Sequence, residues 1–256
     1  MSTSSLEVLF TPADFENLKQ QDLTDAVCVV FDVLRATSSI ISALANGAKA
    51  VIPVQKISEA VALRRRERKI LLAGERHGVR IPASLSSGVD FDLGNSPREF
   101  TYETVRGRTI AMTTTNGTRA LRACAGARSV LVCAFLNLKA TADLIARRKP
   151  RRLILACSGT FEQAAYEDIL AAGALCDLVW SRYRSGAVAD SALVARELFQ
   201  VERRDILKAL GKARNGKRLL SRPELKDDVA FCARANRVAL VAQLDRRGRV
   251  VKKKMK

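Results

Sequence analysis

Asp32 and Glu75 each stand directly after an apolar run, Val27-Cys28-Val29-Val30-Phe31 and Ile70-Leu71-Leu72-Ala73-Gly74. A carboxylate in that position loses much of its water and needs a cation or hydrogen-bond donors. Arg35 and Arg76 lie close by in the chain and are the first candidates. A third polar cluster, Thr113-Thr114-Thr115-Asn116-Gly117-Thr118-Arg119, follows the strand-like run from Arg108 to Met112. Asn116-Gly117 is a turn pair, Thr118 can cap a helix, and Arg119 falls in that helix's first turn. A cation is unfavourable there, because a helix N-terminus already carries partial positive charge. The pattern makes sense as a cradle in which amides, hydroxyls and a guanidinium surround an anion such as phosphate. Ser158-Gly159-Thr160 ends another apolar run and completes the set.

These residue types narrow the chemistry. The chain has one histidine, His77, so a zinc centre built on several imidazoles is excluded. A Ser-His triad is excluded too, unless His77 is its base. Oxygen donors from Asp and Glu suit Mg²⁺, which usually keeps several waters and bridges to a phosphate. Bland roles compete with each assignment. Asp32 can accept backbone amides or pair with Arg35, and Glu75 with Arg76 can be a structural ion pair. Asn95 and Ser96 can simply shape the turn before Pro97. Glu167 and Asp168 sit on a predicted helix, where a solvated face is the default.

The elements that position these groups repeat. FDVLRATSS…ALANGAKAVIPV lays against MTTTNGTRALRACAGARSVLVC, each reading strand, polar turn, Arg-Ala, helix, Gly-Ala, strand. Helical stretches at Ile57–Arg68 and Leu138–Arg148 then lead into third strands at Ile70–Ala73 and Leu153–Cys157. The pattern predicts two β-α-β-α-β units, about residues 27–75 and 109–159, in one domain of residues 1–256. Strands alternating with helices indicate a three-layer α/β/α fold on a largely parallel or mixed sheet. In open sheets of that class ligands bind beyond the carboxyl ends of the strands, where the polar clusters stand. Between the units lies the loop-rich segment Gly74–Pro97, long enough to suggest function. Beyond the second unit the sequence predicts helices at Gln163–Trp180, Ala189–Leu210 and Pro223–Asn236, the last with Asp227 and Asp228 exposed. It also predicts a basic loop at Lys212–Lys217 and a closing hairpin from Val238 to Val251.

Bulk properties bound the class. With 256 residues, 48% of them hydrophobic, the chain has ample material for a core. No apolar run approaches the roughly 18 residues of a membrane span, and Met1–Leu6 lacks the basic-then-apolar order of a secretory signal. A cytoplasmic protein is expected. The six cysteines include no C-x-x-C pair and several fall in strand-like runs, which predicts reduced, buried thiols. The net charge of +18 raises the question of a nucleic-acid partner. Aromatic residues make up only 5%, and the Arg/Lys clusters are scattered over helix ends without a nucleic-acid motif, so a small polyanion explains the charge as well. From the residues alone the chain is a phosphate-handling α/β protein, either an enzyme or an anion-binding module.

FDVLRATSSIISALANGA, LLAGERHG, FDLGNSPREF, TTTNGTRAL and LACSGT…YEDILAAGA, with DDVAFCA near the end, occur in this order. Together they closely resemble the 2-phosphosulfolactate phosphatase family over about residues 25–245. The resemblance implies Mg²⁺-dependent hydrolysis of 2-phospho-3-sulfolactate to sulfolactate and phosphate, a step of coenzyme M biosynthesis. It further implies an α/β/α fold particular to that family and a homo-oligomer, expected to be a dimer. Two departures stand out: Phe161-Glu162-Gln163 replaces a Gly-Arg-like pair, and His77 replaces what is commonly Asn. The first bears on substrate identity and the second argues against an essential imidazole. On this combined reading Asp32, Arg35, Glu75 and Arg119 are expected to be catalytic, with Mg²⁺ held by Asp32 and one of Glu75 or Asp168. Thr37, Arg76, Asn95, Ser96, Thr114, Thr115, Asn116, Gly117, Thr118, Ser158, Gly159 and Thr160 are the expected substrate contacts.

Overall fold

The structure is a computed structural model, and it describes residues 4–114 and 116–253. The strands, in chain order, are β1 (Ser5–Leu9), β2 (Ala26–Phe31), β3 (Ala50–Pro53), β4 (Leu71–Arg76), β5 (Val79–Arg80), β6 (Thr109–Thr113), β7 (Ser129–Cys133), β8 (Arg152–Cys157), β9 (Ala187–Val188), β10 (Ala242–Leu244) and β11 (Val250–Lys252). The helices are α1 (Asp14–Lys19), α2 (Ala36–Ala45), α3 (Ile57–Arg66), α4 (Tyr102–Val105), α5 (Gly117–Ala123), α6 (Leu138–Arg148), α7 (Tyr166–Tyr183), α8 (Asp190–Glu202), α9 (Ile206–Lys212), α10 (Arg214–Leu220) and α11 (Lys226–Cys232).

The continuous apolar runs become strands covered on both faces. In β2, Val27, Val29 and Phe31 pack with Leu138, Ile145, Leu170 and Leu175 of α6 and α7. The alternate residues Ala26, Cys28 and Val30 pack with Ile40, Ile41, Leu44 and Leu121 of α2 and α5. The period-two side-chain alternation thus divides one apolar sequence between two cores. In the same way Leu71 and Ala73 face the α2 side, while Ile70 and Leu72 pack with Ala60 and Val61 of α3. The result is the expected three-layer α/β/α arrangement.

The described strands form one sheet in the order β5-β4-β6-β3-β11-β10-β7-β2-β8-β1-β9. β3, β6 and β4 are parallel neighbours, and so are β7, β2, β8 and β1. The two units follow the predicted order, β2-α2-β3-α3-β4 and β6-α5-β7-α6-β8. Their pairing interleaves them. β6 lies between β3 and β4, and β2 lies between β7 and β8. Each unit therefore lends its first strand to the other. The β10–β11 hairpin joins the two blocks, antiparallel to β7 on one side and β3 on the other.

The C-terminal third departs from the expectation in three places. Ala189–Leu210 is not one helix; it breaks between α8 and α9 at Arg203–Asp205, where Asp205 caps α9 by accepting from the Lys208 amide. Lys212–Lys217 is not a loop, because most of it belongs to α9 and α10, and Gly216 allows α10 to press against the Leu210 carbonyl. Asp228 is fully buried, while Asp227 beside it is exposed.

Candidate active site

The carboxyl ends of β2, β4, β6 and β8 converge on one cleft, about 760 Å³ including its open mouth. Asp32 and Arg35 come from the β2–α2 turn, and Glu75, Arg76, His77 and Gly78 from the end of β4. Asn95 enters from the long loop, Thr114 and Asn116 from the β6–α5 turn, and Gly159 and Thr160 from the end of β8. Glu167 and Asp168 of α7, with Asn215 and Arg218 of α10, close the far wall.

Asp32 sits at the centre. Its Oδ1 accepts the Ala36 amide at 3.2 Å, and its own amide donates to Thr37 Oγ1 at 3.2 Å. This turn fixes the carboxylate at the start of α2. Burial pushes its pKa up to about 7; the Ala36 amide opposes that, and the charges of Glu75 and Glu167 add to it. Asp168 is raised well above the carboxylate range, chiefly by burial and then by Glu167 and Asp32. Its oxygens accept the Val33 amide at 2.8 Å and the Gly159 amide at 3.2 Å, so it ties the β2 turn to the β8 turn. Gly159 makes that turn at φ +69, where a Cβ would also strike the Gln163 carbonyl. Glu167 is also raised, first by burial, although Asn215 Nδ2 donates to it at 2.6 Å. Glu75 Oε2 accepts the Gly78 amide at 2.7 Å.

Gly117 shows how closely the two units meet. A Cβ at this position would lie 2.7 Å from Asp32 Oδ2 and 3.1 Å from the Ala36 Cβ. Only a bare Cα lets the N-terminus of α5 approach the Asp32 carboxylate. Gly117→Val is expected to displace Asp32 and lower kcat about a hundredfold, with an unchanged far-ultraviolet circular dichroism spectrum. Activity within threefold of the parent would show that Asp32 tolerates the shift.

The expected residues divide into groups. Asp32, Arg35, Glu75, Arg76, Asn95, Thr114, Asn116, Gly159, Thr160 and Asp168 share the cleft. Thr115 lies outside the described residues. Gly117, Thr118, Thr37, Ser96, Ser158 and Arg119 do not line it. Thr37 holds the Asp32 amide instead, and the Ser96 hydroxyl donates to Asp228 at 2.6 Å. Ser158 is fully buried, its amide bonded to the Phe31 carbonyl. Arg119 pairs with Glu162 at 2.5 Å on the surface, because the helix rotation at its position turns the side chain outward. Arg35 lines the cleft but is committed to buried Asp228 at 2.8 Å and to the Gly78 carbonyl. It builds the wall before it neutralises a phosphate. Arg119→Ala is accordingly expected to keep kcat/KM within about tenfold; a larger loss would place its side chain on the substrate.

Glu167, Asn215 and Arg218 are among the cleft residues outside the expected set. Glu167 has a detectable signal: Ile169–Trp180 is apolar around almost its whole circumference, so α7 must be a core helix and its first-turn acids buried with it. Asn215 and Arg218 have none, because Arg214-Asn215-Gly216-Lys217 carries no periodicity that separates helix from loop.

Comparisons with known proteins give the family. The sequence pattern of the family described as 2-phosphosulpholactate phosphatase matches residues 13–247. The chain belongs to the 2-phosphosulfolactate phosphatase family. It is 36% identical to a protein of Caldicellulosiruptor saccharolyticus, over 92% of this chain and 96% of that one. Identity is 38% to a protein of Pseudothermotoga lettingae (92% and 94% covered) and 39% to one of Symbiobacterium thermophilum (86% and 92%). All three are named probable 2-phosphosulfolactate phosphatase. The quoted motifs of this phosphatase family member fall on the cleft: FDVLRA supplies Asp32 and Arg35, LLAGERHG supplies Glu75 to Gly78, and YEDILAAGA supplies Glu167 and Asp168.

Proposed function

We propose that this phosphatase hydrolyses the phosphate ester of 2-phospho-3-sulfolactate, or of a closely related phosphorylated 2-hydroxy acid, to the free hydroxy acid and phosphate. The observation that carries the reading is the cluster of Asp32, Glu75, Glu167 and Asp168 in one cleft with Arg76 and Arg218. Burial first, and then the charges of neighbouring acids, push the pKa of Asp32 and of Asp168 up, which a bound cation would oppose. Among the described residues no three His, Cys, Asp or Glu form a preformed metal cage. Mg²⁺ needs only one or two protein carboxylates, because water and phosphate oxygens supply its other ligands. Asp32, with Glu75 or Asp168, would hold it, and Mg²⁺ when bound supplies charge to the phosphoryl oxygens.

Asp32 stands where the β2–α2 and β6–α5 turns meet and acts on the phosphorus, either as nucleophile or by taking a proton from water. Trapping of labelled phosphate on Asp32 selects the first route, and its absence under single-turnover conditions selects the second. Arg76, anchored on the Glu75 carbonyl at 2.6 Å and Thr113 Oγ1 at 3.1 Å, presents its charge to the substrate's anionic groups. We place the enzyme in coenzyme M biosynthesis as a cytoplasmic homodimer, one domain built of two copied units. The interleaved strands support the duplication, and six free, buried thiols suit a reducing compartment. Among the described residues no helix is long and apolar enough to cross a membrane.

The direct test is phosphate release from 2-phospho-3-sulfolactate and from 2-phospholactate, with Mg²⁺ and with EDTA. Release from neither in the presence of Mg²⁺ would sink the reading. Stability offers a second check. Asp32 binds its proton more tightly folded than unfolded, so its burial costs nothing well below pH 4 and becomes destabilising as pH rises from about 4 to about 7. Mg²⁺ offsets that cost only where the carboxylates are ionised. Millimolar Mg²⁺ is expected to raise Tm by several degrees at pH 8 and by about one degree or less at pH 4.5. Equal shifts at both values would place the ion elsewhere.

A further inference from the structure

Among the described residues, Arg218 is the cleft arginine whose guanidinium makes no hydrogen bond or close ion pair. Arg35 is bound to Asp228, and Arg76 to the Glu75 carbonyl and Thr113. Arg214 outside the cleft lining is likewise engaged, on Gln163 and the Thr160 carbonyl. The Arg218 Nε is buried and has no hydrogen-bond partner among the described residues. Its charge acts on Glu167, opposing the rise that burial causes there, but Asn215 already occupies Glu167 Oε1. Glu167 therefore draws the guanidinium to the cleft without consuming it. Asn95 Oδ1 and Thr114 Oγ1, on cleft residues each only 5% exposed, are also without partners. Buried polar atoms are nearly always bonded. Orphans from three separate elements around one cleft mark where a ligand's polar groups go.

Resting on the reading of this cleft as that of a phosphosulfolactate phosphatase, we infer that Arg218 determines specificity by holding the substrate's acid group farthest from the phosphate. In 2-phospho-3-sulfolactate the carboxylate and the phosphate ester share one carbon, and the sulfonate stands one carbon further out. Asp32 marks the reacting end, and the arginine charge that acts on it is that of Arg35. Arg218 acts instead on Glu167 and enters the cleft from α10, a different element from β4, which carries Arg76. A sulfonate is fully ionised and spreads its charge over three oxygens. The planar guanidinium fork matches that geometry better than a lysine ammonium does.

The experiment compares the parent, Arg218→Ala and Arg218→Lys on 2-phospho-3-sulfolactate and on 2-phospholactate, which keeps the carboxylate and lacks the sulfonate. Arg218→Ala is expected to lose roughly 30-fold or more in kcat/KM on the first substrate and less than threefold on the second, with Arg218→Lys recovering part of the loss. Calorimetric titration with sulfolactate, which needs no turnover, should show a parallel weakening of Kd. Thermal melts within about two degrees of the parent exclude misfolding as the cause. Equal losses on the two substrates would assign Arg218 to a group they share and overturn the inference, as would an unchanged Kd for sulfolactate. A parent protein that binds sulfolactate but releases no phosphate would sink the hydrolase reading alone, and the inference would then stand or fall on Kd.

Discussion

Asp32→Asn is expected to lose at least about a thousandfold in kcat while folding normally and melting higher than the parent at pH 8. Both effects come from one carboxylate. Asp32 is held by the Ala36 amide and the Thr37 hydroxyl in a turn that Gly117 closes over, and its pKa is pushed up to about 7 by burial and by neighbouring acids. An amide keeps the shape and can keep one hydrogen bond, but it neither attacks phosphorus nor binds Mg²⁺ strongly. It also removes the cost of ionising a partly buried acid between about pH 4 and pH 7, a gain on the order of 2 kcal/mol once contact with cleft water is allowed for. The parent's kcat/KM without saturating Mg²⁺ should rise with pH through about 7, and that limb should move down as Mg²⁺ is added. A variant that is inactive but no more stable at pH 8 would mean Asp32 is already neutralised in the parent. A variant retaining more than a tenth of the activity would move the chemistry to Glu167 or Asp168.

Asp228→Ala is expected to destabilise the fold by about 3–5 kcal/mol, read from urea unfolding, and to lower activity through the cleft wall. Asp228 is fully buried at the first turn of α11. Arg35 Nη1 donates to it at 2.8 Å, Ser96 Oγ at 2.6 Å and Arg98 Nε at 2.8 Å. It thus joins the β2–α2 turn and the long loop to the C-terminal helices. Its removal leaves the buried Arg35 guanidinium without its hydrogen-bonded counter-ion, at a residue that is itself part of the cleft. Arg98→Ala is the contrast. Its side chain is 37% exposed, so water replaces what it loses, and a cost below about 1 kcal/mol is expected. Similar losses in the two variants would show that burial does not set the strength of this network.

What the amino-acid sequence determined by itself is the set of local units. Apolar runs flanked by polar turns fix β2, β6 and β8, because only a strand covered on both faces buries VCVVF or LILAC without waste. The same logic places Asp32, Glu75, Thr114 and Gly159 at strand ends, and so on one cleft. The apolar circumference of Ile169–Trp180 marks α7 as a core helix, but the burial of Glu167 and Asp168 in its first turn departs from the solvated face expected of them.

Only the tertiary structure decided the rest. That β2 inserts between β7 and β8, and β6 between β3 and β4, depends on pairings between distant segments that local patterns do not encode. The fates of the arginines are also non-local. Arg35 and Arg119 occupy matching places in the two units, yet one is buried against Asp228, 193 residues away, and the other pairs with Glu162 at the surface. Arg218 reaches the cleft because α10, packed on α9 and α11, is tied to the start of α7 by the Asn215–Glu167 hydrogen bond. A charged side chain's role depends on which opposite charge the fold brings to it, and sequence neighbours carry no record of that.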